Sequence, residues 1–301
     1  MPPDSVAGSA TGGRVRAPLP TDVEACPPIV PAFRTALDAA LLGLDLRLGP
    51  AAQAGIEAHV RLLMAWNGAI NLTAIRDPEA IALEHVADSL TAVAIIEAAD
   101  LGRRPAILDV GSGAGYPGLP IGLALPAGRL TLIDSVAKKA RFLQVAGDAA
   151  LGAAAVRGLD GPTLEVVAGR AESVAHDRRR RGRYDLVTAR AIGSLAELVE
   201  LALPMLRPGG RLVAWKRDVD GWPLGDQGSA ATPARTIDRP DLVHELADAD
   251  HLLPRLGGAI ERIVRVGVPG LEDHRLVVVR SEHPSPSIYP RSPTERRRDR
   301  A

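Results

Sequence analysis

The sequence predicts an α/β fold with a doubly wound, mostly parallel sheet and a helical extension at its N-terminus. Three observations support this prediction. Short apolar segments alternate with helical patterns between residues 106 and 216, which is typical of βα units whose sheet is covered on both faces. A glycine-rich turn separates the first of these strands from its helix, and before it apolar residues recur at helical spacing.

The chain begins with two predicted regions of different character. Residues 1–32 are rich in Pro, Gly, Ala and Ser and lack apolar periodicity, so we expect a disordered leader. Residues 33–100 carry the helical spacing, and we expect an N-terminal helical region there. Its helices are expected over residues 33–48, 51–66 and 78–98.

Residues 101–281 form the predicted sheet domain. Its parallel strands are expected over 106–110, 130–134, 164–168, 184–189 and 211–216, with helices over 117–125, 136–151 and 194–206. A helix over 241–256 and an antiparallel pair of strands over 259–268 and 274–280 are expected to close the domain. Within the domain, residues 218–240 turn to Gly, Asp, Pro and Thr, which indicates an exposed insertion. Residues 282–301 are rich in Pro and Arg, so we expect a disordered basic tail.

Composition excludes several classes of protein. The 301 residues are 46% hydrophobic and 24% charged, as in ordinary globular proteins, and the formal net charge of zero provides no overall basic field for nucleic acid. Any RNA binding must therefore come from local patches. The single cysteine, Cys26, excludes a disulfide framework and a cysteine-based zinc site, and we expect no metal. Because no apolar run reaches about 18 residues and no signal peptide is recognisable, we expect a cytoplasmic protein without a membrane span.

The stretch from Asp109 to Gly118 reads Asp-Val-Gly-Ser-Gly-Ala-Gly-Tyr-Pro-Gly. Glycines at positions 111, 113 and 115 are typical of backbone that takes positive φ or lies close against a ligand, and the helix that follows favours anionic or polar groups at its start. A dinucleotide turn would require glycine where this chain has Tyr116. The spacing and the preceding aspartate therefore favour S-adenosylmethionine (SAM). An ordinary tight turn of an α/β protein is the alternative.

Polar residues stand at the ends of the later predicted strands, where the ligands of doubly wound sheets bind. Asp134 ends the second strand, where it can accept both ribose hydroxyls or instead cap the next helix. Ala171 and Glu172 follow the third strand, where backbone and carboxylate can hold an adenine edge. Arg190 ends the fourth strand and faces the same opening, a costly place for an idle buried charge.

The sequence also disfavours two kinds of methyl acceptor. Methylation of an exocyclic amine usually shows an Asn/Asp-Pro-Pro-aromatic element there, whereas this chain reads Ala189-Arg-Ala-Ile-Gly193. Methylation of a pyrimidine carbon relies on a thiol nucleophile, and Cys26 lies in the wrong segment to supply one. The sequence also lacks a Ser/His/Asp order and a phosphate loop that ends in Gly-Lys-Ser/Thr.

An ordered set of motifs, covering about residues 50–280, resembles a known family. The motifs are Asn71-Leu-Thr, His85 with Asp88-Ser89-Leu90, the glycine turn, Leu132-Ile-Asp134-Ser135 with Lys138-Lys139, Arg170-Ala-Glu172 and Ala189-Arg190-Ala191. In this order they are similar to those of the bacterial small-subunit ribosomal RNA guanine-N7 methyltransferases, also called glucose-inhibited division protein B. Single motifs are generic, but the Asn-Leu-Thr and His-x-x-Asp-Ser-Leu elements upstream of a glycine turn are specific.

The resemblance implies a Rossmann-like SAM-dependent methyltransferase fold and methyl transfer to N7 of a guanosine in small-subunit (16S) ribosomal RNA (rRNA). It also implies that small-subunit rRNA or the ribosomal particle is the partner, and we expect a monomer. The cofactor residues that match the family by position are Gly111, Tyr116, Ala171, Glu172 and Arg190. To these the physical argument adds Gly113 and Asp134.

The candidate substrate residues are Asn71, His85, Arg190 and Lys216, each with an alternative. Asn71 is either a base contact or a turn asparagine, and His85 is either part of an RNA or site-organising cluster or a hydrogen-bonded packing histidine. Lys216 can contact phosphate or simply be solvated. Because guanine N7 already carries a free lone pair, we expect no dedicated catalytic base.

Two other functions are compatible with the sequence. An enzyme of the same fold can act on a small molecule with SAM or NAD, and a catalytically silent module can bind rRNA without SAM. The missing third glycine of the dinucleotide spacing and the N-terminal motifs argue against the first alternative. Measured SAM binding separates the methyltransferase from the second.

Overall fold

The computed structural model describes residues 18–125, 127–218 and 242–298. Nearly all of the predicted insertion, the first 17 residues of the predicted leader and the last three residues of the predicted tail lie outside the described residues. The expectations of disorder and exposure stay predictions there. In the described part of the chain, no helix combines the length and the apolar character that crossing a membrane requires.

Seven strands form one sheet in the order β3-β2-β1-β4-β5-β7-β6. The first five strands run parallel to their neighbours, β7 runs antiparallel to β5, and β6 runs antiparallel to β7. The strands are β1 (Ala106–Val110), β2 (Arg129–Asp134), β3 (Thr163–Ala168), β4 (Tyr184–Arg190), β5 (Leu206–Arg217), β6 (Gly258–Arg265) and β7 (His274–Ser281). The prediction of a doubly wound, mostly parallel sheet is confirmed, and its order reverses between β1 and β4.

Helices cover both faces of this sheet. They are α1 (Pro31–Gly43), α2 (Pro50–Ile70), α3 (Pro78–Ala80), α4 (Asp88–Leu90), α5 (Val93–Glu97), α6 (Gly118–Ala124), α7 (Ala137–Ala155), α8 (Ala171–His176), α9 (Leu195–Ala202), α10 (Leu242–Leu256) and α11 (Pro293–Arg298). The first helix ends earlier than predicted, because the chain leaves the helical conformation at Asp45, where φ is +50°. The short α8 and α11 were not predicted.

The third predicted helix is interrupted rather than continuous. Between α3 and α4, residues Ile81–Ala87 form a π-helix. This widened turn is rare in proteins, and where it occurs it is often at a functional site. Two contacts accompany it. The Ser89 hydroxyl donates to the carbonyl of His85 at 2.5 Å, competing with the helical backbone pattern, and the Trp215 indole donates to the carbonyl of Asp88 at 2.9 Å. The interruption therefore presents His85 and Asp88 to the edge of the sheet.

The N-terminal helices share the core of the sheet domain. One cluster of buried side chains joins Phe33 of α1 and Trp66 of α2 to Ile107 of β1 and Phe142 of α7. A second cluster fills the opposite face, between the sheet and helices α9 and α10. Because a single packed core spans both predicted regions, the helical extension is part of the fold rather than an appendage.

The predicted disorder of the leader is wrong for its described part. Cys26 and Ile29 are buried, the Trp66 indole donates to the carbonyl of Pro20 at 2.7 Å, and the Arg61 guanidinium donates to the carbonyl of Cys26 at 2.7 Å. Composition suggested disorder because the segment has few apolar residues of its own. Side chains of α2 supply the donors that bind the backbone carbonyls of the leader.

The predicted disorder of the tail is likewise wrong for residues 282–298. Tyr289 is buried in the second core cluster. The Arg181 guanidinium donates to the carbonyl of Tyr289 at 2.7 Å and to that of Ser285 at 2.9 Å. The His176 side chain donates to the carbonyl of Pro290 at 2.9 Å. The tail therefore lies along helices α8 and α9, held through its backbone, which its composition does not reveal.

Candidate functional site

The glycine turn follows β1 at the carboxyl edge of the sheet, beside the point where the strand order reverses. Gly111, Gly113 and Gly115 all have positive φ, at +68°, +56° and +93°, a conformation that side chains with a Cβ rarely adopt. A Cβ at Gly111 would also lie 2.5 Å from Cδ1 of Ile192, whereas one at Gly113 would have nothing nearer than 3.8 Å. The turn thus exposes bare backbone at the position where this fold binds ligands.

Asp134, at the end of β2, binds the turn through the amide of Gly113. Its Oδ2 accepts from the backbone amide of Gly113 at 3.0 Å, and its Oδ1 accepts from the amide of Val136 at 2.8 Å, just before α7. The bond to Val136 spans two residues and precedes the helix, whose N-cap is Val136 and has no side-chain cap, so Asp134 forms a turn and the helix-cap alternative is wrong. Each carboxylate oxygen has a second lone pair, so these two bonds leave acceptor capacity for ribose hydroxyls.

Asp109, near the end of β1, binds the turn through the amide of Gly118. Its carboxylate is fully buried, accepts from the Thr188 hydroxyl at 2.8 Å and accepts from the amide of Gly118 at 3.2 Å. Burial raises the pKa of Asp109 to about 6, although these hydrogen bonds act in the opposite direction. Asp109 therefore joins the turn to β4, and its neutral form is accessible near neutral pH.

The predicted motif residues meet at the same edge. Arg190 of β4 donates from Nη1 to Oδ2 of Asp88 at 2.7 Å and from Nη2 to Nδ1 of His85 at 3.2 Å. Nδ1 of His274 lies 2.7 Å from the other carboxylate oxygen of Asp88, whose side chain is only 1% exposed. The cluster of His85, Asp88, Arg190 and His274 joins the N-terminal region to β4 and β7.

His85 occupies this cluster as a neutral ring. Because Nδ1 accepts from Arg190, its proton lies on Nε2, which is 2.7 Å from the Thr73 hydroxyl. Burial, and then the charge of Arg190, lower the pKa of His85 to about 3. The Tyr116 ring stacks on His85 with centroids 4.7 Å apart, and the Arg190 guanidinium lies 5.5 Å from the Tyr116 centroid. His85 is therefore hydrogen-bonded and packed, and it contacts both Arg190 and Tyr116, whereas its contact with RNA stays a prediction.

Two buried polar atoms beside the turn have no hydrogen-bond partner among the described residues. They are the Tyr116 hydroxyl and Nδ1 of His59, whose Nε2 donates to the carbonyl of Ala114 at 2.7 Å. A buried polar atom without a partner costs on the order of 1–3 kcal/mol, so such atoms call for a ligand or a water. They fit SAM, which carries amino, carboxylate and hydroxyl groups. No sequence signal had singled out His59.

Acidification is expected to destabilise the protein through His59. Burial lowers its pKa from 6.5 to about 4, so between these values the unfolded chain binds a proton that the folded protein does not bind. The free energy of unfolding therefore rises with pH across this window, by about 3 kcal/mol from this residue alone. In His59→Gln, which keeps a donor for Ala114 but cannot titrate, urea unfolding near the two ends of the window is expected to show a smaller rise.

Two neighbouring groups, His85 and Asp109, also change the free energy of unfolding with pH. His85 acts in the same direction as His59, since its folded pKa is also lowered. Asp109 opposes both, because its pKa rises from 3.8 to about 6 and the folded state therefore binds more protons than the unfolded state between these values. His251→Gln, on the exposed face of α10, is the matched control against which the pH dependence of His59→Gln is compared. An unaltered pH dependence in His59→Gln would contradict the prediction.

Ala171 and Glu172 begin helix α8 at the end of β3. The Glu172 carboxylate is half-buried, and its Oε1 accepts from Nη2 of Arg296 in the tail at 2.7 Å. Burial acts to raise the pKa of Glu172, but its own backbone amide and Arg296 outweigh this effect and lower it. Glu172 is therefore ionised beside the site, with a partner that sequence reasoning had not found.

The other two predicted substrate residues, Asn71 and Lys216, have different surroundings, and Asn71 is exposed. Asn71 ends α2 in the left-handed conformation, with φ at +50°, as the turn alternative expected, whereas Asn67 bonds the backbone of the loop through both ends of its amide. Nζ of Lys216 lies 2.6 Å from Oε2 of Glu245 and 3.0 Å from the carbonyl of Gly193, with its side chain only 10% exposed. Lys216 is therefore paired rather than solvated, and its contact with phosphate stays a prediction.

Comparison with known proteins shows which family the chain belongs to. The family model described as rRNA small subunit methyltransferase G matches residues 52–222. The chain is 34% identical to ribosomal RNA small subunit methyltransferase G of Symbiobacterium thermophilum, over 86% of this chain and 94% of that protein. It is 40% identical to the protein of the same name from Roseiflexus castenholzii, over 76% of this chain and 83% of that protein.

The chain belongs to the rRNA small subunit methyltransferase G family. The family is SAM-dependent, so the predicted resemblance, fold and cofactor are confirmed. The matched segment contains the glycine turn, Asp134, Glu172 and Arg190. Of solved structures, the chain is similar to magnesium protoporphyrin IX methyltransferase from Synechocystis PCC 6803 with bound SAH, at 14% identity and a TM-score of 0.46, over 74% of this chain and 99% of that one.

Two residues that contact the predicted motif residues of the site lie beyond the matched segment. They are His274, which is bonded to Asp88, and Arg296, which is bonded to Glu172. Neither had a sequence signal, because each meets its partner only through the tertiary fold. The carboxyl edge of the sheet therefore also includes contacts from residues beyond the matched segment.

Proposed function

We propose that the protein transfers a methyl group from SAM to N7 of a guanosine in small-subunit (16S) rRNA. One observation carries the proposal. The His-x-x-Asp-Ser-Leu motif lies against the glycine turn, since His85 stacks on Tyr116, and it also binds Arg190 through Asp88. The Asn-Leu-Thr motif joins it through Thr73, whose hydroxyl lies 2.7 Å from Nε2 of His85. The segments that distinguish this family from other methyltransferases and the turn that binds the cofactor thus form one site.

The residues at the carboxyl edge suit SAM. The bare backbone of Gly111 and Gly113 offers the close approach that the amino-acid end of SAM requires, and Asp134 offers acceptors for ribose hydroxyls. Ala171 and Glu172 offer a backbone and a carboxylate for the adenine edge, and the Tyr116 ring and Arg190 close the far side. When bound, SAM supplies the methyl group as an activated electrophile.

The chemistry at guanine N7 requires orientation more than proton transfer. Its lone pair is already free in the major-groove edge, so a base is not needed. The residues of the edge are consistent with this, because the lone pair of His85 accepts from Arg190 and burial keeps the Tyr116 hydroxyl protonated by raising its pKa. The role of these side chains is therefore to hold the acceptor and the donor in line.

Arg190 is the residue placed to serve both reactants. Three of its donor contacts fix it to Asp88, His85 and the carbonyl of Glu84, and its guanidinium lies over the Tyr116 ring. A rigid arginine loses little conformational entropy when a ligand arrives. We include in the proposal a cytoplasmic location, action as a monomer, and small-subunit rRNA or the ribosomal particle as the partner.

Mapping of N7-methylguanosine tests the proposal. In a strain that lacks the gene, 16S rRNA is expected to lose one N7-methylguanosine, and the gene is expected to restore it. Purified protein is expected to transfer labelled methyl from SAM to rRNA or to small ribosomal subunits from that strain. An unchanged rRNA in the deletion strain would contradict the proposal. SAM turnover without rRNA would indicate a small-molecule enzyme, and rRNA binding without SAM binding would indicate a silent module.

A further inference from the structure

The C-terminal tail is anchored on helix α9 by a buried ion pair. Oε1 of Glu200 accepts from the backbone amide of Arg291 at 2.6 Å, and its Oε2 accepts from the guanidinium of Arg291 at 2.8 Å. The Glu200 side chain is only 1% exposed. A buried carboxylate held by both backbone and guanidinium fixes the chain in position and orientation, so α11 begins from a rigid point.

Helix α11 is capped immediately after this anchor. The Ser292 hydroxyl lies 2.6 Å from Oε2 of Glu295, and the amide of Ser292 donates to the same oxygen at 2.8 Å. The amide of Glu295 donates back to the Ser292 hydroxyl at 3.3 Å. This reciprocal pattern is a capping box, which fixes the direction of a helix start. The helix is therefore directed so that Arg296 reaches Glu172 at the carboxyl edge of the sheet.

Arg296 is buried with most of its donors unused. Its side chain is 9% exposed, and Nη2 donates to Oε1 of Glu172. The Nε and Nη1 atoms are buried and have no hydrogen-bond partner within the described ranges. A guanidinium is always charged and carries five donors in a planar fork, and its unpaired buried donors are costly. The spare donors belong to the same rigid fork that already touches Glu172, so an acceptor beside Glu172 would satisfy one of them.

The adenine edge of SAM has the matching polarity. Adenine presents an amine donor next to a ring-nitrogen acceptor, and the pair of Glu172 and Arg296 presents a carboxylate acceptor next to guanidinium donors. We propose that Arg296, acting with Glu172, recognises the adenine of SAM, so that the tail completes the cofactor site. This inference rests on the proposed function, which assigns Glu172 to that edge. It adds a specificity residue beyond the segment matched by the family model.

Calorimetry on the full-length protein tests this role with SAM itself. Arg296→Gln is expected to weaken SAM binding about 10- to 100-fold, which corresponds to the loss of a hydrogen bond to a charged group. Arg298→Gln, an exposed change in the same helix, is the matched control and is expected to leave SAM affinity unchanged. Arg296→Lys keeps the charge without the fork, and an intermediate loss is expected. Circular dichroism melting verifies that each variant is folded.

A second pair of ligands separates recognition from a merely structural role. S-inosylhomocysteine replaces the adenine amine with a carbonyl and reverses the polarity of the edge, whereas S-adenosylhomocysteine keeps it. Wild-type protein is expected to prefer the adenosyl compound, and Arg296→Gln is expected to lose much of this preference. An equal loss for both compounds, unchanged affinity, or tighter binding in Arg296→Gln would overturn the inference. If the wild type itself fails to bind SAM, the proposed function fails and this inference fails with it.

Discussion

Gly111→Asp is expected to abolish SAM binding. The backbone at Gly111 has φ at +68°, and a Cβ there would lie 2.5 Å from Cδ1 of Ile192, so an added side chain must displace its neighbour. The carboxylate also brings a negative charge to the turn that we propose for the amino-acid end of SAM. Strain, collision and charge act together, and calorimetric affinity for SAM is expected to fall at least about 100-fold, or by about 3 kcal/mol.

A control isolates the effect of position from that of backbone strain. Gly158 also has positive φ, at +90°, but a Cβ there would meet nothing within 4 Å. Gly158→Asp therefore carries the same conformational cost away from the site, and its SAM affinity is expected to match the wild type. Equal affinity in Gly111→Asp and wild type would remove the glycine turn from the cofactor site.

Arg190→Met is expected to cost about 3–5 kcal/mol of unfolding free energy, as removal of one partner from a buried ion pair usually does. The Asp88 carboxylate is 1% exposed and would keep only His274 and no guanidinium. The change also removes the contact that fixes His85. Urea unfolding at neutral pH measures the loss, and methyl transfer by any folded fraction is expected to fall steeply.

A double-mutant cycle and an exposed control sharpen this prediction. Asp88→Asn combined with Arg190→Met removes both charges, so the double variant is expected to lose less than the sum of the single losses, by about 0.5–3 kcal/mol. Arg34→Met breaks the exposed pair with Glu57, in which the arginine side chain is 56% exposed, and is expected to cost less than about 1 kcal/mol. Equal losses of unfolding free energy for Arg34→Met and Arg190→Met would show that the buried ion pair stabilises the protein no more than the exposed one.

Features that depend on short stretches of sequence could be predicted. The parallel strands are continuous apolar runs, and the glycine turn is recognisable because each glycine meets a local requirement for positive φ. Asp134 follows from its position at the end of a strand, and the structure places it against the turn. Arg190 follows from the cost of a charge in that place, and it proves to be paired.

Features that depend on distant partners could not be predicted. His274 is separated from Asp88 by 186 positions, and no local pattern connects them. Lys216 stood out at a strand end, yet its partner Glu245 lies on a helix beyond the insertion. The tail has the composition of a disordered segment, but Arg181 holds its backbone carbonyls. In each case, the deciding contact exists only after the chain has folded.

The contact between His274 and Asp88 also sets an order of events during synthesis. Asp88 is synthesised long before His274, and Arg296 follows later still. Domains fold as units while the chain emerges, so a nascent chain that has already made its glycine turn still lacks two of the contacts at its cofactor edge. The contacts of His274 and Arg296 are therefore expected to form only after the glycine turn and the parallel strands around it have been synthesised.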